Sequence, residues 1–292
     1  MPNAKRDARE MQLFFDARDD KLFEQRGMRN LYWLDDLGAK PIQEAKQDDE
    51  GFLFAGARCI NDYKQLVQRT PNIFDYPDDR QPLIRLESVL HRLDENNVAT
   101  PRPKTWLLRV DQPIPKNISF PLFVRAGISS WKLGGKISKV TNQRELESEA
   151  GELRRAFGWD ELILARQWLD IVDAGQSMYG PIPLEIRTWI IDQVPYAWSF
   201  HHVHAAPNAN GFPLTKSDLS TLNQYAADIG RSFTSRLVCA DFVRLKTGEW
   251  NFLEAGPGSC AGTGHEQVYK AVASKLIGQT FPIVPDDYGN TF

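Results

Sequence analysis

The chain has 292 residues, 42% of them hydrophobic with 16 Phe and 8 Trp, which is apolar enough for globular cores and excludes a disordered chain. A formal charge of −3 leaves no electrostatic footprint for a polyanionic partner, so nucleic acid is not the expected ligand. The length accommodates two or three linked subdomains; Cys59, Cys239 and Cys260 lack CxxC spacing, and no apolar run after the polar opening MPNAKRDARE reads as a signal or a membrane span, so a reducing cytoplasm is expected.

Taken in chain order, Gln12 to Phe15 and Phe52 to Ala57 read as buried strands, with a helical stretch from Asn61 towards Gln68. These predict a small α/β unit over residues 11 to about 78. Leu83, Leu86, Val89, Leu90 and Leu93 follow at helical spacing and stop near Asn96-Asn97, before the break VATPRP. Beyond it come strands at Thr105 to Val110, Pro121 to Arg125 and Lys136 to Val140, a helix through Arg144 to Phe157, and a strand at Leu162 to Trp168. Leu184 to Asp192 and Tyr196 to Val203 resemble paired strands, Lys216 to Arg236 a helix, and Glu266 to Ile277 a final helix. The Gly/Pro/Asn-rich stretches Asp173 to Pro183 and Ala205 to Pro213 read as loops that shape a pocket or act as lids. Strands and helices mixed with antiparallel hairpins predict an α+β fold.

Two segments carry chemistry. In LVCADFVRLKTGEWNFLEAGPGSCAGTG, Leu237 to Leu245 and Trp250 to Ala255 read as strands joined by the turn Lys246-Thr247-Gly248-Glu249. Asp241 and Glu254 then converge from neighbouring strands, and two such oxygen ligands suit Mg²⁺, which takes further oxygens from phosphates. By themselves the two read better as solvent-side carboxylates of a hairpin than as a metal site. In PLFVRAGISSWKLGGKISKV, a strand ending at Arg125 runs into a loop where Lys132 and Lys136 flank Gly134 and Gly135. Glycine permits close backbone approach to phosphate oxygens, although the pattern is neither a Walker loop nor a GxGxxG turn and a glycine hairpin with solvated lysines reads equally well.

The order of these features resembles the ATP-grasp superfamily. PLIRLESVLHRLDENNVATP is similar to the family's entry into its first nucleotide strand, and LILARQWLD to its linker strand, so the resemblance spans roughly residues 80 to 264. It implies two α+β subdomains clasping a nucleotide, preceded by a small α/β domain, with divisions at 1–80, 81–168 and 169–292. It also implies ATP and Mg²⁺, with Mn²⁺ an alternative, and Asp241 and Glu254 as the metal ligands. Arg85 and Arg125 fall where phosphate-binding lysines are usual, a change of shape that keeps the charge. Backbone around Arg166 to Leu169 is expected at the adenine edge, with Gln167, Trp168 and Leu169 in the nucleotide site and Asp170 near the ribose. LEIRTWIIDQ is similar to the family's acidic-x-Arg strand: Glu185 and Arg187 alternate onto one face, where Arg187 is suited to stabilise a transferred phosphoryl group. The family's Glu-x-Asn is here Glu254-Ala255-Gly256, which predicts one well-held ion rather than two, or help from Asn251 or His265.

The expected activity is ATP-dependent ligation of a small-molecule or peptide carboxylate to an amine or thiol through an acyl-phosphate. A phosphotransferase on the same scaffold and a non-catalytic nucleotide-binding module are the alternatives, the latter favoured by Gly256 and the two arginines. His201, His202 and His204 form HHVH on an expected strand, too few ligands for zinc, and read either as packed histidines or as bases directed at phosphate.

Overall fold

The computed structural model describes residues 11–18, 32–56, 60–68, 70, 72–128, 139–177, 180–201, 214–261, 265–284 and 289–292. Strands β1 (Gln12–Phe15), β2 (Lys40–Pro41), β3 (Gly51–Phe54) and β4 (Ile73–Phe74) form a parallel sheet in the order β2-β1-β3-β4. Parallel strands are covered on both faces and therefore read as unbroken apolar runs, as Leu13-Phe14-Phe15 and Phe52-Leu53-Phe54 do. Phe14 and Leu53 pack on Tyr63 and Leu66 of helix α1 (Ile60–Val67), while Leu13, Phe52 and Phe54 face the other way, towards the carboxyl-terminal sheet.

After helix α2 (Leu86–Glu95), strands β5 (Thr105–Leu108), β6 (Leu122–Ala126), β7 (Lys139–Val140) and β8 (Ile163–Gln167) make an antiparallel sheet in the order β5-β8-β6-β7, backed by helix α3 (Gln143–Phe157). Two-residue alternation decides its faces. Trp106, Leu122, Val124, Ile163 and Ala165 pack with Leu146, Ala150 and Leu153 of α3. The intervening Phe123, Arg125, Leu164 and Arg166 turn to the opposite face, with Phe123 paired to Arg166 and Arg125 to Leu164.

The stretch read as a loop at Asp173 to Pro183 is instead a two-stranded ribbon, β9 (Asp173–Ser177) paired with β10 (Gly180–Pro183). Its composition lacks the apolar alternation that marks strands, and only backbone pairing reveals it. Next comes the largest sheet, fully antiparallel, in the order β14-β13-β11-β12-β15. It comprises β11 (Glu185–Ile191), β12 (Val194–Phe200), β13 (Leu237–Arg244), β14 (Trp250–Pro257) and β15 (Gly289–Thr291). Helix α4 (Lys216–Gly230) packs Leu222, Ala226 and Ile229 onto one face of it, beside Ile186, Ile190, Ala240 and Phe242. The helix stops at Gly230 rather than continuing to Arg236, because Phe233 and Ser235 leave the helical course to be buried.

The other face of this sheet is divided along its length. At one end Trp189, Ile191, Leu237 and Cys239 pack against Val268, Tyr269 and Val272 of helix α5 (Glu266–Leu276) and against the first sheet. At the other end the same strands present Glu185, Arg187 and Asp241. No helix of the described residues is long and apolar enough to cross a membrane.

Candidate active site

The polar half of that face is set by register. Glu254 of β14 lies opposite Asp241 of β13, and Asp241 lies opposite Arg187 of β11. Three adjacent strands thus carry carboxylate, carboxylate and guanidinium in one row, at the spacing of about 4.5–5.5 Å that separates directly opposed side chains in a sheet. A register shift between Asp241 and Phe242 lets Glu254 stay on this face while Phe252 turns into the core beneath. Glu185 stands two residues before Arg187 on the same face, and the amide of His201 donates to its carbonyl oxygen at 2.9 Å.

Arg187 and Asp241 are buried and joined as a fork: Nε donates to Oδ1 at 2.9 Å and Nη2 to Oδ2 at 2.7 Å. Burial disfavours the guanidinium charge, but the acidic groups around it, Asp241 first and Glu185 among them, together outweigh that and raise the Arg187 pKa well above its ordinary value. Burial likewise keeps the neighbouring Cys239 thiol protonated. Ligand atoms of Glu185, His201 and Asp241 all lie within 4.8 Å of one another. Two carboxylates and an imidazole at that spacing, with Glu254 alongside, form a donor set that fits a hard or borderline divalent cation.

The second sheet supplies positive charge from across the cleft. Arg125, only 6% exposed, reaches from β6 to the Glu254 carboxylate, its Nη1 donating to Oε2. Arg166 of β8, 2% exposed, comes from the same face of that sheet.

The remaining expected site residues are placed as follows. Arg85 pairs with Glu87 and, at 2.7 Å, with Glu161, so its charge is already matched by two carboxylates. A Cβ on Gly127 would collide with this cluster, which explains glycine there. The amides of Gln167 and Trp168 donate to the carbonyls of Lys104 and Pro121, and Lys139 Nζ lies 4.9 Å over the Trp168 ring. Leu169 is half-buried, whereas Asp170 is exposed and meets Lys246 Nζ at 3.0 Å. Lys132, Gly134, Gly135 and Lys136 lie outside the described residues, as do His202 and His204. Asn251 shares the face of Glu254 through its pairing with Val243, and His265 caps α5 by accepting the Val268 amide at Nδ1, 3.3 Å. Reading the sequence missed the side chain of Arg166 and the part played by His201 at the end of β12; a buried-strand pattern interrupted by arginine was the available signal for the first.

Comparison with solved structures gives the same architecture. D-alanine–D-alanine ligase from Bacillus anthracis complexed with ATP aligns at a TM-score of 0.56 and 13% identity, covering 85% of each chain. A second structure of D-alanine–D-alanine ligase from that organism aligns at 0.59 and 15% identity over 92% of this chain and 95% of that one. The RimK domain protein ATP-grasp from Sphaerobacter thermophilus aligns at 0.55 and 13% identity, over 93% of this chain and 100% of the other. Identities this low speak to fold alone. A search of curated proteins finds no significant match. A family model described as an ATP-grasp domain, the third family of its clade, matches residues 123–276, more than half of the sequence, and takes in most strands of the two facing sheets, β5 and β15 lying outside it. The chain therefore belongs to the ATP-grasp superfamily, in that family of ATP-grasp domains.

Proposed function

We propose that the chain is an ATP-dependent ligase that activates a carboxylate as its acyl-phosphate and joins it to an amine or thiol. The observation that carries this reading is the row Glu254–Asp241–Arg187 facing Arg125 across the cleft between two sheets. Carboxylates and fixed guanidinium groups converge there with little water, the setting in which charge developing on a phosphoryl group is best stabilised.

In this mechanism an acceptor carboxylate oxygen attacks the γ-phosphorus as its bond to the ADP oxygen breaks. The amine or thiol then attacks the acyl carbon and inorganic phosphate leaves. Arg125 holds phosphate oxygens, and Arg187, kept rigid by Asp241, faces the transferred group. Glu185, on the same face, is the carboxylate placed to take the proton of the attacking amine. Asp241 and Glu254, with His201 beside them, would hold Mg²⁺ or Mn²⁺, which when bound neutralises and orients the phosphate oxygens and leaves Glu185 to act as the base. The amino-terminal residues 1–80 are proposed to help select the acceptor, a small-molecule or peptide carboxylate.

The test is Mg²⁺-dependent ADP formation across a panel of carboxylates with hydroxylamine present to trap the acyl-phosphate. Glu254→Gln is expected to lower turnover by about 100-fold or more in a protein that still unfolds cooperatively, at a lower thermal midpoint because the buried Arg125 loses its carboxylate. Undiminished turnover in that variant would overturn the role of Glu254. Stable phosphorylated product without hydroxamate would convert the reading to a phosphotransferase.

A further inference from the structure

Among the described residues, the Nη2 atoms of Arg125 and Arg166 are buried and make no hydrogen bond. Both side chains lie on the face of the second sheet that looks away from α3, one strand apart and diagonal in register. What they do contact is insufficient. Arg125 spends Nη1 on Glu254 and reaches the Ala126 carbonyl with Nε at a long 3.4 Å, and among the described residues Arg166 has only a long bond from Nε to Thr105 Oγ1, 3.4 Å. Arg166 carries the electrostatic mark of this shortage: burial first, then the Arg125 charge, push its pKa down to about 9, and Glu254 offsets only part of that.

A guanidinium buried beside another, with one carboxylate between them, is costly to the folded protein and leaves donors unsatisfied. Such an arrangement is favourable once an anion with several oxygens enters. The charge count sharpens the point. Two arginines against Glu254 leave one positive charge in excess, and if Glu254 turns to a metal ion the excess becomes two. Arg85 does not compete for that anion, because Glu87 and Glu161 already match it.

We propose that Arg166 is a second phosphate-binding residue, forming with Arg125 a two-guanidinium clamp on the terminal phosphates of the nucleotide. The clamp takes the place expected of Arg85. This inference rests on the nucleotide reading given above, and it makes the cleft a site tuned to polyphosphate rather than to adenosine. Its fork geometry also explains why arginine rather than lysine stands at both positions: two planar groups on neighbouring strands can share one phosphate edge to edge.

The experiment titrates ATP with Mg²⁺, ADP, and adenosine into the wild-type chain, Arg166→Met and Arg166→Lys by calorimetry, and records the thermal midpoint of each ligand-free protein. Expected are affinities for ATP and ADP lower by about 30-fold in R166M, the loss of a pair of charge-assisted bonds, with adenosine binding unchanged. R166K, which keeps the charge without the fork, falls between. The ligand-free midpoint of R166M is equal to or above that of the wild type, because an uncompensated charge has been removed. Wild-type affinity for ADP in both variants, an equal loss for adenosine, or a lowered ligand-free midpoint would each overturn the clamp and leave Arg166 a structural residue. A wild-type chain that binds neither ATP nor ADP overturns the nucleotide reading itself, a different failure visible in the control.

Discussion

At the residue scale, the two acidic side chains of the hairpin are not equivalent. Asp241 is buried and holds Arg187 through both oxygens, so replacing it leaves a buried guanidinium without its counter-charge. Asp241→Asn is expected to cost about 3–5 kcal/mol of folding stability, read as a shift in the urea midpoint, besides any loss of activity. Glu254 is more accessible but carries the buried Arg125, so replacing it also costs stability, and its role is read from turnover rather than from stability. Gly256 is a further test at this scale: a Cβ there would meet only the Leu83 carbonyl oxygen, at 3.8 Å, an ordinary contact. Gly256→Asn should therefore fold normally and tighten Mn²⁺ binding, measured by calorimetry; unchanged affinity would show that position 256 does not face the ion. The types and order of these residues were legible in the sequence. That Arg85 is taken up by Glu87 and Glu161 was not, because Glu161 is 76 positions away in the chain.

At the element scale, alternation does most of the placing. Along β11, Glu185, Arg187, Trp189 and Ile191 share a face, yet the first two meet a polar cleft and the last two meet α5. Strand periodicity predicts the shared face; what covers each half depends on where α5 and the first sheet end. Helix α4 shows the complementary case, a start written locally. Thr215 and Asp218 form a reciprocal cap, Thr215 Oγ1 accepting the Asp218 amide at 3.1 Å and Asp218 Oδ2 accepting the Thr215 amide at 3.0 Å. Thr215→Ala is expected to lower stability by about 1 kcal/mol in chemical denaturation. Helical spacing alone overruns the far end of α4, because nothing local marks the burial of Phe233 and Ser235.

At the scale of the whole molecule, a buried polar knot ties the amino-terminal unit to the large sheet. Asp75, after β4, accepts from Ser235 Oγ; Arg80 donates to Ser259 Oγ and, at 3.0 Å, to the Ala55 carbonyl, and lies 3.9 Å from Asp75. Burial outweighs the Arg80 charge and raises the Asp75 pKa from 3.8 to about 6. The carboxyl thus binds its proton more tightly in the fold than in the unfolded chain. Its contribution is fully present below pH 3.8 and is lost as pH rises through 6, roughly 3 kcal/mol in all. Asp75→Asn, which also tolerates the positive φ of 80° at this position, is expected to flatten the unfolding free energy between pH 4 and 7, measured by urea titration at each pH.

By itself the sequence determined most of the element types, the ribbon at Asp173–Pro183 excepted, the α+β class, the family, and a short set of acidic and basic residues in the right order, because these follow from periodicity, turn chemistry and motif spacing. Only the tertiary structure decided which charges meet. Whether a guanidinium is matched, as Arg85 and Arg187 are, or left wanting, as Arg125 and Arg166 are, depends on carboxylates brought from distant strands. Charge pairing is a property of distance in space, and local sequence does not encode it.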